Sequence, residues 1–372
     1  MRENPNGDFN FKERLSQFGE SHWELARGGI SLSDLTRVGQ SGVIDERTLC
    51  RVVLGENNVC RIHSRFIQLG LPLLLASLIS VASADDKNID AQVRQWIIDL
   101  GHKKFVIRQA AYEQLTELGK PAFPQLKRIA RSGTPEQRYR AREIIRLVEW
   151  RTLYKGFLAL SKQPDDEMDL DEAMWLISLI VDSRVEREPL GRQLDEMAKR
   201  VRARLGKEVD PAKAEPRVVV DVLIAVLKDE YKLAGAFVNY NHPDNSSLHR
   251  VLSSKKGLPI LLSHIAVSIA DRLEIPIVGI PTAGRYMIKY DGSRAPEGFP
   301  DDDIIIDPFG NWQILTHDGV RELIPGFDPE TDLVSSSRRA TIVRMLRNLA
   351  SDFSDVQQPE KAALTEKCLQ LF

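Results

Sequence analysis

The sequence predicts an α+β protein: a run of short helices followed by a small antiparallel sheet. Three observations carry that expectation. From residue 89 to beyond 205, apolar residues recur at spacings of three and four, interrupted by Gly and Pro turns. Residues 285–290 alternate instead, and short apolar runs flank them on both sides. The composition is that of an ordinary globular chain, 372 residues with 42% hydrophobic and 28% charged. That length supports two or three domains with real cores. Lys plus Arg number 51 and Asp plus Glu 53. This balance gives no basis for nucleic-acid binding, which calls for a basic excess on one face.

Residues 1–60 are polar and weakly periodic, and read as a disordered or wrongly assigned extension. The only long apolar run is 69–81. Arg61, His63 and Arg65 precede it, and Ala82-Ser83-Ala84 follows. A basic flank, a short apolar centre and a small-x-small exit make 61–84 a signal peptide or membrane anchor, with membrane attachment through 66–83. The run is shorter than the roughly 20 residues of a membrane-spanning helix. The expectation is therefore an exported protein of the periplasm or cell envelope, with translation starting close to Arg61. Cys50 and Cys60 would then be absent from the mature chain, leaving Cys368 as the only thiol.

Residues 89–155 read as short helices. Phe105 to Leu118 has helical spacing, Gly119 stops it, and Pro121 opens the next helix. Thr134-Pro135 is an N-cap and first-turn pair, leading a helix to about Trp150. An Arg-x-Ala-Ala helix, a Leu-Gly-x-x-Ala-x-Pro turn and a Gly-Thr-Pro-Glu-x-Arg helix resemble a HEAT-like repeat. A generic helical hairpin is the plainer alternative. Arg138, Arg140, Arg142 and Arg146 read as a solvated face rather than an anion-binding patch.

The main domain is expected over 165–350, with a helical tail over 351–372. An acidic stretch, Asp165–Asp171, suits the positive end of a helix. Two more helices follow, one from Pro189 and one over Val218–Lys228. Next comes the polar stretch Asn239 to Ser247, then a short helix over Leu248–Leu252. Lys255-Lys256-Gly257 reads as a turn, and Pro259 opens a helix. Strands are expected at Pro276–Ile280, Arg285–Tyr290 and Ile304–Ile306. Tyr286, Ile288 and Tyr290 lie on one side of the second strand and Met287 on the other. Asp301-Asp302-Asp303 reads as a solvated loop, and no His, Cys or carboxylate spacing fits a metal.

From Asp171 to about Leu349 the chain resembles the SirB-type branch of the transglutaminase-like superfamily. The resemblance rests on Asp-Leu-Asp-Glu-Ala at 169–173, the Asn239–Leu252 stretch, Lys256-Gly257-Leu258-Pro259, Gly279 and Gly284, Ile306-Asp307-Pro308-Phe309, and Arg344-Met345-Leu346. It implies a papain-like domain with an N-terminal helical subdomain and a small antiparallel sheet. It also implies where a Cys-His-Asp triad would sit. The cysteine position is Pro259 and the histidine position is Arg285; only Asp307 is kept. A thiol route needs a nucleophile and a base, so neither can be Pro259 or Arg285.

No residue is therefore expected to be catalytic in the usual way, and no cofactor is implied. Arg285, Asp307, Asn239, Tyr240, Asn245 and Ser246 are expected to bind a protein or peptide partner. Arg285 and Asp307 could equally form a structural pair that braces the sheet. A hydrolase or transamidase using a non-standard site on the same scaffold is the alternative. Ser263 and His264 are poor substitutes, because adjacent helical residues do not face each other.

Overall fold

The computed structural model describes residues 89–282 and 284–372. The expected extension (1–60) and signal or anchor (61–84) lie outside the described residues. Among those described, no helix is long and apolar enough to cross a membrane.

Helix α1 (89–99) leads to α2 (Phe105–Leu118), α3 (Phe123–Ser132) and α4 (Pro135–Ser161). Gly119, with φ of 75°, ends α2 as the sequence predicts. Thr134 and Gln137 form a reciprocal capping box on α4. Val93, Leu100, Leu115, Leu126, Ile144 and Val148 build a small core among these four helices.

Helix α4 does not end near Trp150. It runs 27 residues and continues through Gly156, and no Pro interrupts it between Pro135 and Pro164. Its first half feeds the small core. Its second half feeds a much larger one through Leu153, Phe157 and Leu160. The boundary expected at 155 thus falls inside a continuous helix.

The larger core gathers α5 (Leu170–Val181), α6 (Arg187–Leu205) and α7 (Pro216–Ile224), which continues as a π-turn over Ala225–Glu230. Strand β1 (Ala234–Gly235) follows, then α8 (Leu248–Ser254), β2 (Lys256–Gly257) and α9 (Pro259–Asp271). Lys255 takes a left-handed φ of 65°, but Lys256-Gly257 is not merely a turn. It pairs in parallel with Ala234-Gly235. Gly257 is needed there, since a Cβ would come within 2.9 Å of Val251.

A four-stranded antiparallel sheet then runs in the order β3 (Ile277–Thr282), β4 (Arg285–Tyr290), β5 (Ile304–Asp307) and β6 (Gln313–Leu315). The fourth strand has no counterpart in the sequence reading; at three residues it is too short to show alternation. Tyr286, Ile288, Tyr290 and Ile306 join the large core with α9, while Met287, Ile280 and Ile305 form a separate cluster on the other face. Helices α10 (His317–Leu323) and α11 (Pro329–Asp332) follow. Helix α12 (Arg338–Asp355) packs against α13 (Pro359–Leu369) to close the chain.

Asp303 departs from the solvated-loop reading. Its two oxygens accept from Lys289 Nζ at 2.7 Å and from the Gly292 N–H at 3.0 Å. The long loop needs an anchor on β4, and Asp303 supplies it.

Candidate functional site

Arg285 opens β4 after Gly284, whose φ of 70° lets the chain turn into the strand. Asp307 closes β5 and is only 3% exposed. Arg285 Nη1 donates to Asp307 Oδ2 at 2.9 Å, and the Phe309 N–H donates to Oδ1 at 3.1 Å. A buried carboxylate is thus held by one charged and one backbone donor. The backbone must pass close by: a Cβ on Gly310 would lie 2.5 Å from Asp307 Oδ2. Arg285 itself keeps about a third of its side chain exposed, at 35%.

The polar stretch from Asn239 is brought against this pair through Phe309. The Tyr240 ring meets Phe309 edge-on at 5.7 Å, and Phe237 tilts against it at 4.5 Å. Asn245 fixes the loop: its Nδ2 donates to the Asn239 and Tyr240 carbonyls, at 2.7 and 3.1 Å. Its own carbonyl accepts from the Leu258 N–H at 3.0 Å, directly before Pro259. Four sequence-distant motifs therefore meet in one place. Pro259 lies buried in the first turn of α9 and offers neither a nucleophile nor an N–H.

Two further residues belong to this neighbourhood, and sequence reasoning missed both as site residues. Arg344 of α12 donates to the Arg285 carbonyl at 2.7 Å and sits over the Tyr286 ring. Asp352, one α-helical stripe along from Met345 and Leu349, accepts from Ser246 Oγ at 3.1 Å. Burial pushes the Asp352 carboxyl up to about 6. Burial also raises the Tyr240 phenol, Asp352 adds to that, and Arg344 and Arg285 oppose it. The legible signal was a carboxylate on the apolar face of α12, where solvated Asp is out of place.

The other candidate nucleophiles point elsewhere. Ser263 Oγ donates to the Tyr286 carbonyl within the core. His264, on the same helix, faces the Leu170 carbonyl at 3.4 Å, and burial lowers its pKa. Cys368 is fully buried in the core, and burial pushes its thiol up to about 12, so it holds its proton. Among the described residues, no group of three or more His, Cys, Asp or Glu could hold a metal ion.

Residues 188–347 match the family model described as the transglutaminase-like superfamily. A UPF0162 protein of Xylella fastidiosa (strain 9a5c) is 29% identical over 141 residues, 35% of this chain and 47% of that protein. A UPF0162 protein of Pseudomonas aeruginosa is 27% identical over 122 residues, 32% of this chain and 42% of the relative. The F-box only protein 21 of Homo sapiens is 29% identical over 99 residues, 26% of this chain and 16% of that protein. The chain spans less than half the length of the curated relatives it matches. No solved structure gives a significant match. Residues 188–347 of this chain thus form a transglutaminase-like domain, carried on a mostly helical α+β fold.

Proposed function

We propose that the chain is an exported, catalytically degenerate transglutaminase-like protein of the SirB type that binds a protein or peptide partner. A HEAT-like helical segment precedes its domain. One observation carries this reading. Arg285 reaches solvent from a pair with buried Asp307, beside the loop that presents Asn239 and Tyr240. A guanidinium held on one side and open on the other suits a carboxylate or a peptide carbonyl. Pro259 in the nucleophile position supports a binding role over turnover. No cofactor enters this reading.

The test is capture of partners from a cell-envelope extract with the wild-type chain and the double variant Arg285→Ala, Asp307→Asn. The single Arg285→Ala would leave a buried carboxylate unpaired; the double variant removes both charges. Loss of the partner at an unchanged melting temperature supports binding. A partner kept by the double variant means that the pair only braces the sheet. Sequencing the mature N-terminus tests export, with a start at Asp85 expected.

A hydrolase or transamidase on the same scaffold is favoured by one observation. Asp352, at about 6, acts on Tyr240, so a group suited to acid-base work exists there. Amide turnover abolished by Asp307→Ala would make this the better reading.

A further inference from the structure

A second site lies on the other side of α9, away from the loop over 239–247. Here α9, β3 and the first turn of α12 enclose a cavity of about 550 Å³. That volume falls in the range of small-molecule sites. Gly279 keeps it open, since a Cβ there would collide with the Tyr286 hydroxyl.

The cavity wall carries a chain of hydroxyls. Tyr286 Oη lies 2.9 Å from Thr341 Oγ1, which donates to the Ser337 carbonyl at 3.0 Å and lies 3.1 Å from Ser336 Oγ. Such a wall can both donate to and accept from a polar ligand. His264 on the same wall is buried and adds no charge at neutral pH.

The rim carries both signs of charge. Arg294 and Arg338 line it, and so do Asp271 and Glu274. Arg338 is engaged: it donates to the Met168 carbonyl and lies 3.6 Å from Asp271. The Arg294 guanidinium and the Glu274 carboxylate form no hydrogen bond or ion pair among the described residues, with each other or with any neighbour. Two opposite charges thus line one cavity without pairing with each other, and Arg294 acts on Asp271 only at longer range.

Glu274 also occupies an uncommon backbone position. It follows α9 with φ of 57°, where the Ala270 carbonyl accepts from both Leu273 and Ile275 N–H groups. This is the left-handed position at a helix C-terminus that glycine fits best. A carboxylate stands there instead, at the mouth of the cavity.

We propose that this cavity binds a small zwitterion, a free α-amino acid or a dipeptide. Its carboxylate faces Arg294, its ammonium faces Glu274, and its polar backbone runs along the Tyr286–Thr341–Ser336 hydroxyls. The site is separate from the Arg285–Asp307 pair and does not depend on the partner-binding reading.

The experiment is calorimetric titration of the full chain with L-alanine and with L-alanyl-L-alanine, each beside its N-acetyl and C-amide derivatives. The two parent probes distinguish an amino-acid site from a dipeptide site. At least one zwitterion should bind, and blocking either end should weaken it about tenfold or more, because a charged rim group loses its partner. Arg294→Ala and Glu274→Gly should each weaken binding to a similar degree. Glu274→Gly should meanwhile keep or raise the melting temperature without ligand, since glycine suits that φ. This separates a binding role from a structural one. No heat with any probe, or binding indifferent to blocked ends or to both substitutions, overturns the proposal.

Discussion

The helices over 89–150 and the domain that follows use their polar side chains in opposite ways. In the first region many contacts are local, although Gln137 Nε2 reaches the Ile97 carbonyl 40 residues away. Arg140 bonds Glu136 four residues away, Arg138 bonds the Gly133 carbonyl, and Arg142 reaches the Ala130 carbonyl. In the second region the contacts are remote. Arg285 pairs with Asp307, Ser246 with Asp352, and Trp312 Nε1 with the Leu233 carbonyl. These local contacts tie a helix to itself or to the element just before it. The remote ones lie in or near the core and decide how elements meet. A site can be built only by the second kind.

If that contrast holds, substitutions should cost energy in the same order. The largest effect is expected at Asp307. Asp307→Ala leaves the Phe309 N–H without its acceptor and Arg285 without its counter-ion. A fully buried pair broken this way costs about 3–5 kcal/mol; since Arg285 reaches solvent, about 3 kcal/mol is expected in urea unfolding. A cost near zero would place this pair with the surface contacts and dissolve the contrast.

Next comes Asp352, through pH. Its folded-state value of about 6 lies above the ordinary carboxylate value, so the folded protein holds the proton more tightly. The stability this gives is fully present near pH 4 and is lost as pH rises through 6. Asp352→Asn cannot ionise. Relative to that variant, the wild type should lose on the order of 2 kcal/mol between pH 4 and 8. Parallel stability profiles for the two proteins would show that Asp352 is not desolvated in solution.

The smallest effect belongs to the local region. Arg140→Ala removes an i,i+4 pair whose glutamate is 46% exposed. It should change stability by about 0.5 kcal/mol or less, and the difference should vanish in high salt. A larger loss would mean that the helical segment relies on its surface charges.

The same divide explains what could be read in advance. Thr134-Pro135 and Gly119 mark helix ends by chemistry confined to a few residues, and the structure places both ends there. The alternation of Tyr286, Met287 and Ile288 assigns each to its face of the sheet for the same reason. The end of α4 was misjudged, because nothing local changes at Trp150. Only the core that its side chains enter changes there, from the small cluster to the large one.

The site followed suit. Arg285, Asp307 and the loop from Asn239 were singled out from motifs, and the structure brings them together through Phe309 and Asn245. Arg344 enters only within a resemblance motif and Asp352 not at all, since nothing local shows that they meet Arg285 and Ser246, 59 and 106 residues away.

By itself, the sequence determined most element types and several of their ends, among them Gly119 and Thr134-Pro135. Those properties follow from backbone preference, periodicity and residue chemistry, which act over a few positions. The tertiary structure alone decided that Asp352 is buried and keeps its proton up to about pH 6. It alone set the Tyr286 and Leu170 carbonyls as the neighbours of Ser263 and His264, and Arg294 and Glu274 around one cavity. Desolvation and charge pairing depend on which distant segments meet, and no short stretch of sequence encodes that.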